Sequence, residues 1–220
     1  MKLVSGSGSE KTGACWMSAI HWYTRKDTVS WTDQPDCVSP IVQHLCISLN
    51  DFLPSNEERE RIIGPHLFAP VGTNTGNEDE GKRWALCSDR AARLFTPFWL
   101  RRAKEPDLIK HAEACEALTP IVDQATAKAA LPTLEAAKKA ASASASAYAS
   151  AYDASAYAYA YDASAYDDDA ASASDKEWIN QEVLKLILEC CAIGRQPEEA
   201  IATKSRSECL EFLCSFDKGK

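Results

Sequence analysis

Apolar positions in the first part of the chain return every three or four residues. Trp16, Ala19, Ile20 and Tyr23 fall at i, i+3, i+4 and i+7, which predicts an amphipathic helix over about 13–24. Ile41, Val42, Leu45, Cys46, Leu49, Phe52 and Leu53 trace a wider stripe. Ser39 precedes it as an N-cap, Pro40 takes the first helical position, and Pro54 bounds the far end. Ser55 with Glu58 makes a capping-box pattern for a charged helix that stops at Gly64, with Pro65 just beyond. Residues 65–77 read as the longest loop. A helix over about 78–95 follows, with Trp84, Cys87, Ala91, Leu94 and Phe95 facing inward and Thr96-Pro97 interrupting or restarting it. Further helices are expected over 106–117 and 120–139, punctuated by Pro106, Pro120 and Pro132. Near the end, Ser174 with Glu177 opens the apolar face of Trp178, Ile179, Val183, Leu184, Ile187, Leu188 and Cys191, and Gly194 closes it. Pro197 starts a short helix. Ser205 with Glu208 caps a last one carrying Leu210, Phe212 and Leu213. Almost no segment alternates as a strand does, so the pattern predicts an all-α, multi-helix fold.

One stretch breaks the pattern. Residues 140–174 use four residue types only: sixteen Ala, eight Ser, six Tyr and five Asp. Tyr152-Asp153-Ala154-Ser155-Ala156-Tyr157 recurs nine residues on, from Tyr161 to Tyr166, and two copies are too few for a solenoid. Residues 141–152 alternate with period two, as a silk-like strand would. That alternation breaks at Asp153-Ala154, where a strand would turn its faces over. Alanine is also the best helix former and is depleted in strands. The reading favours one long helix, roughly 50 Å at 1.5 Å per residue, over a strand or a disordered tail. On that helix Tyr148, Tyr152, Tyr159 and Tyr166 share a face, a candidate surface for a protein partner or for self-association. Asp167, Asp168 and Asp169 crowd near its C-terminal end, where negative charge is unfavourable.

This divides the 220 residues into an N-terminal helical domain (1–118), the Ala-rich tract (119–174) and C-terminal helices packing back on the bundle (175–220). Net charge is −8, which argues against a protein that coats nucleic acid throughout. The charge is uneven, however: residues 82–110 hold eight Lys/Arg against three Asp/Glu. The N-terminus runs from Met1-Lys2-Leu3-Val4 into a Gly/Ser segment with no apolar signal core, and no run is long enough to span a membrane. A cytoplasmic setting is expected, and with it nine reduced cysteines.

Three sets of residues are candidates for chemistry. Cys15 lies at the first turn of a predicted helix, where the helix dipole favours a thiolate. Gly13-Ala14-Cys15-Trp16-Met17-Ser18-Ala19 is similar to the nucleophile motif of papain-like cysteine proteases, in which Cys-Trp also opens a helix. It departs by one residue in the spacing to Ser-Ala, and no Gln stands just before Cys15 to build an oxyanion hole. His66 or His111 would be the base and Asn180 or an Asp the orienter, and none lies in a motif. The bland alternative is a buried structural cysteine. Arg83, Arg90, Arg93, Arg101 and Arg102 form the candidate nucleic-acid surface, against which stands pairing with acids of the same chain, Glu57, Glu58 and Glu60 among them. Zinc would need paired ligands at short spacing. Cys37 and Cys46, Cys190-Cys191, and Cys209 and Cys214 supply no Cys-x-x-Cys, so no metal or cofactor is expected. Gly6-Ser7-Gly8-Ser9-Glu10-Lys11-Thr12 lacks both glycines of a P-loop, having Ser5 and Glu10 in their places.

Residues 14–19, the run Trp31-Thr32-Asp33-Gln34-Pro35-Asp36-Cys37-Val38-Ser39-Pro40-Ile41, Cys46-Ile47-Ser48-Leu49-Asn50-Asp51 and Gly64-Pro65-His66 carry a further likeness. On them the N-terminal half resembles a group of uncharacterised bacterial and phage proteins that often carry Ala-rich tracts interrupted by Tyr or Asp. The resemblance implies a bacterial or phage-related origin and transfers no catalytic residues. The expected role is a non-enzymatic helical interaction or scaffold protein. The alternatives are a thiol-dependent enzyme using Cys15 and a nucleic-acid-binding module using residues 82–110.

Overall fold

The structure is a computed structural model that describes residues 2–6, 8–9, 11–25, 31–143 and 172–216. The fold is all-α with many helices, together with a two-stranded ladder at the N-terminus. Packing divides the chain into two compact units, Met1–Glu80 with Ala173–Lys220, and Gly81–Ser172. The N-terminal domain expected to run to residue 118 therefore ends, by packing, after Glu80, and residues 173–220 belong to the same unit as it does.

The first unit opens with β1 (Gly8–Ser9) antiparallel to β2 (Gly13–Ala14). A Cβ at Gly8 would stand 2.2 Å from the Gly13 carbonyl oxygen, so this ladder needs glycine there. Next come α1 (Trp16–Thr24), α2 (Pro40–Phe52) and α3 (Asn56–Ile63). The apolar periodicity of α1 and α2 is realised as burial: Trp16, Ala19, Ile20 and Tyr23, then Val42, Leu45, Cys46 and Leu49, all face the core. Ser39 caps α2 by accepting from the Val42 amide, with Pro40 at the first position. Ser55 accepts from the Glu58 amide. The reciprocal half of that expected box is not made by Glu58, whose carboxylate takes Arg61 instead.

Gly64 does not close α3 with a left-handed residue. Its φ is −49°, and the chain tightens into a 3-10 turn, Gly64–His66. Pro65, already fixed near helical φ, suits that continuation. The loop beyond is held by backbone contacts with the C-terminal segment. Gln196 N–H donates to the Gly72 carbonyl at 2.9 Å, and a Cβ on Gly72 (φ +81°) would lie 2.5 Å from the Gln196 carbonyl oxygen.

Two further helices of the first unit, here α8 (Ala173–Ala192) and α9 (Arg206–Ser215), complete it, α8 against α2 and α9 against α1. Ile179, Val183, Ile187 and Cys191 are buried as expected. The helix begins at Ala173, so Ser174 falls inside the first turn instead of capping it. Gly194 ends the segment at φ +46°, and the Ser205–Glu208 capping box is complete in both directions.

The boundary between units falls inside α4 (Asn77–Arg90). In the second unit, a π-helical turn, Ala91–Phe95, leads into α5 (Thr96–Arg102). The cause is Pro97, which has no N–H to give back to the helix. The preceding amide, Thr96, reaches the Ala91 carbonyl five residues back. The extra residue in this turn shifts the helix phase. The single stripe drawn through 84–95 is also misplaced before that turn: Trp84 is 44% exposed, whereas Arg83 and Ala85 are buried. α6 (Pro106–Glu116) and α7 (Gln124–Ala143) follow. Asp123 starts α7 by accepting from the Thr126 amide at 2.8 Å, while the Thr126 hydroxyl accepts from the Asp123 amide. Ala137 and Ala141 of α7 pack with Leu100, Leu108, Ala112 and Cys115, and Ala130 packs with Ala92 and Ile121. The long helix expected over 140–174 lies mostly outside the described residues, of which only 140–143, in α7, and 172–174, at the start of α8, belong to that stretch.

Candidate functional site

Cys15 is the residue with most to offer chemically, and the fold places it as the N-cap of α1. Its backbone is extended, so its side chain turns back over the first turn. Sγ accepts from the Ser18 amide at 3.3 Å and lies 3.2 Å from the Ser18 hydroxyl. Next to it the Trp16 amide donates to Asn50 Oδ1, and Asn50 Nδ2 donates to the Val4 carbonyl. The Trp16 indole N–H reaches the Leu67 carbonyl at 2.8 Å. Three segments, around Val4, Asn50 and Leu67, thus converge on the start of α1.

Burial overrides the dipole here. Cys15 is 3% exposed. Desolvation pushes its thiol up from the ordinary 9.0, against the lowering effect of the Ser18 bonds, so the expected shift towards thiolate is reversed. Fully buried Cys46 is raised further by burial, with Cys191 and Cys15 adding to the shift. Burial likewise takes Cys115 to about 11 and Cys209 to about 12. None of the nine cysteines is in a disulfide.

The candidate base does not join it. His66 sits half-buried in the 3-10 turn, and no hydrogen bond links its ring to Cys15 among the described residues. His111 lies on α6, in the other unit. Asn180 is buried with its side-chain oxygen unpartnered, so it orients no imidazole. The arrangement around Cys15 makes a capped, protonated core thiol. Among the described residues no three of His, Cys, Asp and Glu are placed to hold a metal ion.

The basic segment divides in the same way. Arg83 is wholly buried and cannot reach a phosphate. Arg93 pairs with Asp89 at 3.1 Å, and Arg101 makes a two-pronged pair with Glu116, at 3.0 and 2.7 Å. Lys110 pairs with Asp107. Arg90 and Arg102 are half-buried on α4 and α5, each with an interaction of its own. Intramolecular pairing therefore takes up Arg93, Arg101 and Lys110, each with a partner from the same unit. Of the acids first considered, Glu58 serves Arg61.

A polar cluster in the first unit was not visible in the sequence. Glu198, in a 3-10 turn over Glu198–Ala200, accepts the Tyr23 hydroxyl at 2.6 Å and the Arg206 Nε at 2.8 Å, with Arg195 3.6 Å away. Arg206 holds the Glu198 carboxyl below its ordinary 4.5. Burial and that same carboxylate hold the Tyr23 phenol well above 10. Arg195 also donates to the Val71 and Phe68 carbonyls, and Arg206 lies over the Phe68 ring. Lys204 donates to the Trp22 and Arg25 carbonyls at the end of α1, and Trp22 stacks on Phe212 at 4.2 Å. These charges hold the C-terminal segment onto α1 and onto the loop at Phe68 and Val71. No short-range signal marks it, because Tyr23 and Glu198 are 175 residues apart.

Tyr148, Tyr152, Tyr159 and Tyr166 lie outside the described residues. No helix among the described residues is long and apolar enough to cross a membrane. Comparison with known protein families, with curated proteins and with solved structures finds no match.

Proposed function

We propose that this chain is a non-enzymatic helical interaction or scaffold protein that self-associates through its Ala/Tyr tract. The observation that carries the reading is the alanine stripe of α7. Ala130, Ala137 and Ala141 are buried at i, i+7 and i+11, and for Ala137 and Ala141 the large side chains of that contact, Leu100 and Leu108, come from the neighbouring helices. The small residues let the backbones approach and the partners fill the space. The tract that begins at the end of α7 has the same alanine supply and adds six tyrosines of its own. A segment holding both small and large members of such a contact is complementary to a second copy of itself. Tyrosine suits the task because its ring is amphipathic and its entropy cost on ordering is low.

The test places a photoreactive phenylalanine analogue at Tyr152 in the full chain, with a second variant labelled at exposed Lys128 of α7 as the control. Irradiation at Tyr152 is expected to yield a covalent dimer, and irradiation at Lys128 is not. Equal yields from both positions, or none from either, overturn the reading.

A further inference from the structure

We draw no further inference here: the strongest candidate, the buried thiol cluster of Cys15, Cys46 and Cys191 in the core of the first unit, rests on mutual pKa raising alone, and nothing in the structure gives two of its sulfurs a bonding distance or a route to an oxidant.

Discussion

Cys15 shows how one side chain can meet the sequence rule for a reactive thiol and still be a core residue. The helix start is real, but the sulfur spends its acceptor capacity on the Ser18 amide and sits in a dry environment. Two outcomes follow. In the folded protein near neutral pH, Cys15 is expected to stay unlabelled by iodoacetamide over hours and to label readily in denaturant, as peptide mapping would show. Rapid labelling of the folded protein would contradict its protonated, buried state. Cys15→Ala is expected to lose about 1 kcal/mol in urea unfolding, the cost of an N-cap, and more if the vacated space stays open. Glu198 gives the pH counterpart. Its folded pKa is lowered, so it contributes stability that is present above its ordinary value of 4.5 and is lost as pH falls through the lower folded value. Tyr23, raised in the fold, contributes stability that is present below 10 and is lost as pH rises beyond it. Glu198→Gln should therefore flatten the acid side of the stability curve and cost roughly 1–3 kcal/mol at pH 7, discounted because Arg206 is exposed. An unchanged acid limb would remove the carboxylate from this role.

At the scale of elements, α1, α2, α8 and α9 were legible because local signals agreed. Apolar period marked all four, Ser39 and Ser205 set the starts of α2 and α9, and Pro54 and Gly194 bounded the ends of α2 and α8. The stripe through Trp84 counted a large aromatic as inward and an arginine as outward, whereas Arg83 and Ala85 take the buried face. The expected stop at Gly64 ignored that Pro65 fits a helical turn as well as it breaks one. The expected cap at Ser174 came one residue late, because the helix was already running. The site residues were less legible than the helices. Asn50, Glu80 and Glu198 act on backbone or side chains far along the chain, and Glu80 reaches the Ile41 amide and the Ser39 hydroxyl at the start of α2. Spacing within a helix holds no trace of such pairings. The alanine stripe of α7 gives the test at this scale. Ala137→Leu, at a site 1% exposed, should cost about 1–3 kcal/mol through overpacking. Ala136→Leu, exposed one residue earlier, should change stability by no more than about 0.5 kcal/mol. Equal effects in thermal or urea unfolding would mean that α7 does not pack through this face.

For the molecule as a whole, the tract joins the end of α7 in the second unit to the start of α8 in the first. Each unit has a core of its own, and the self-association proposed for the tract rests on its alanines and tyrosines. Charge sets a condition on that. Residues 140–174 carry five acids and no base in a chain of net charge −8. Two copies brought together repel at low ionic strength and less so once the Debye length falls to about 8 Å near 0.15 M salt. Association is therefore expected to strengthen from 0.01 to about 0.15 M NaCl, the opposite of binding that rests on the basic segment. The most direct measurement is sedimentation equilibrium on the full chain at near-physiological salt, beside a variant with Tyr148, Tyr152, Tyr159 and Tyr166 all changed to Ala. The account predicts a reversible dimer or higher species for the natural chain and a monomer, still as helical by circular dichroism in its two units, for the variant. A natural chain that stays monomeric at every concentration, or a variant that associates as strongly, would contradict it.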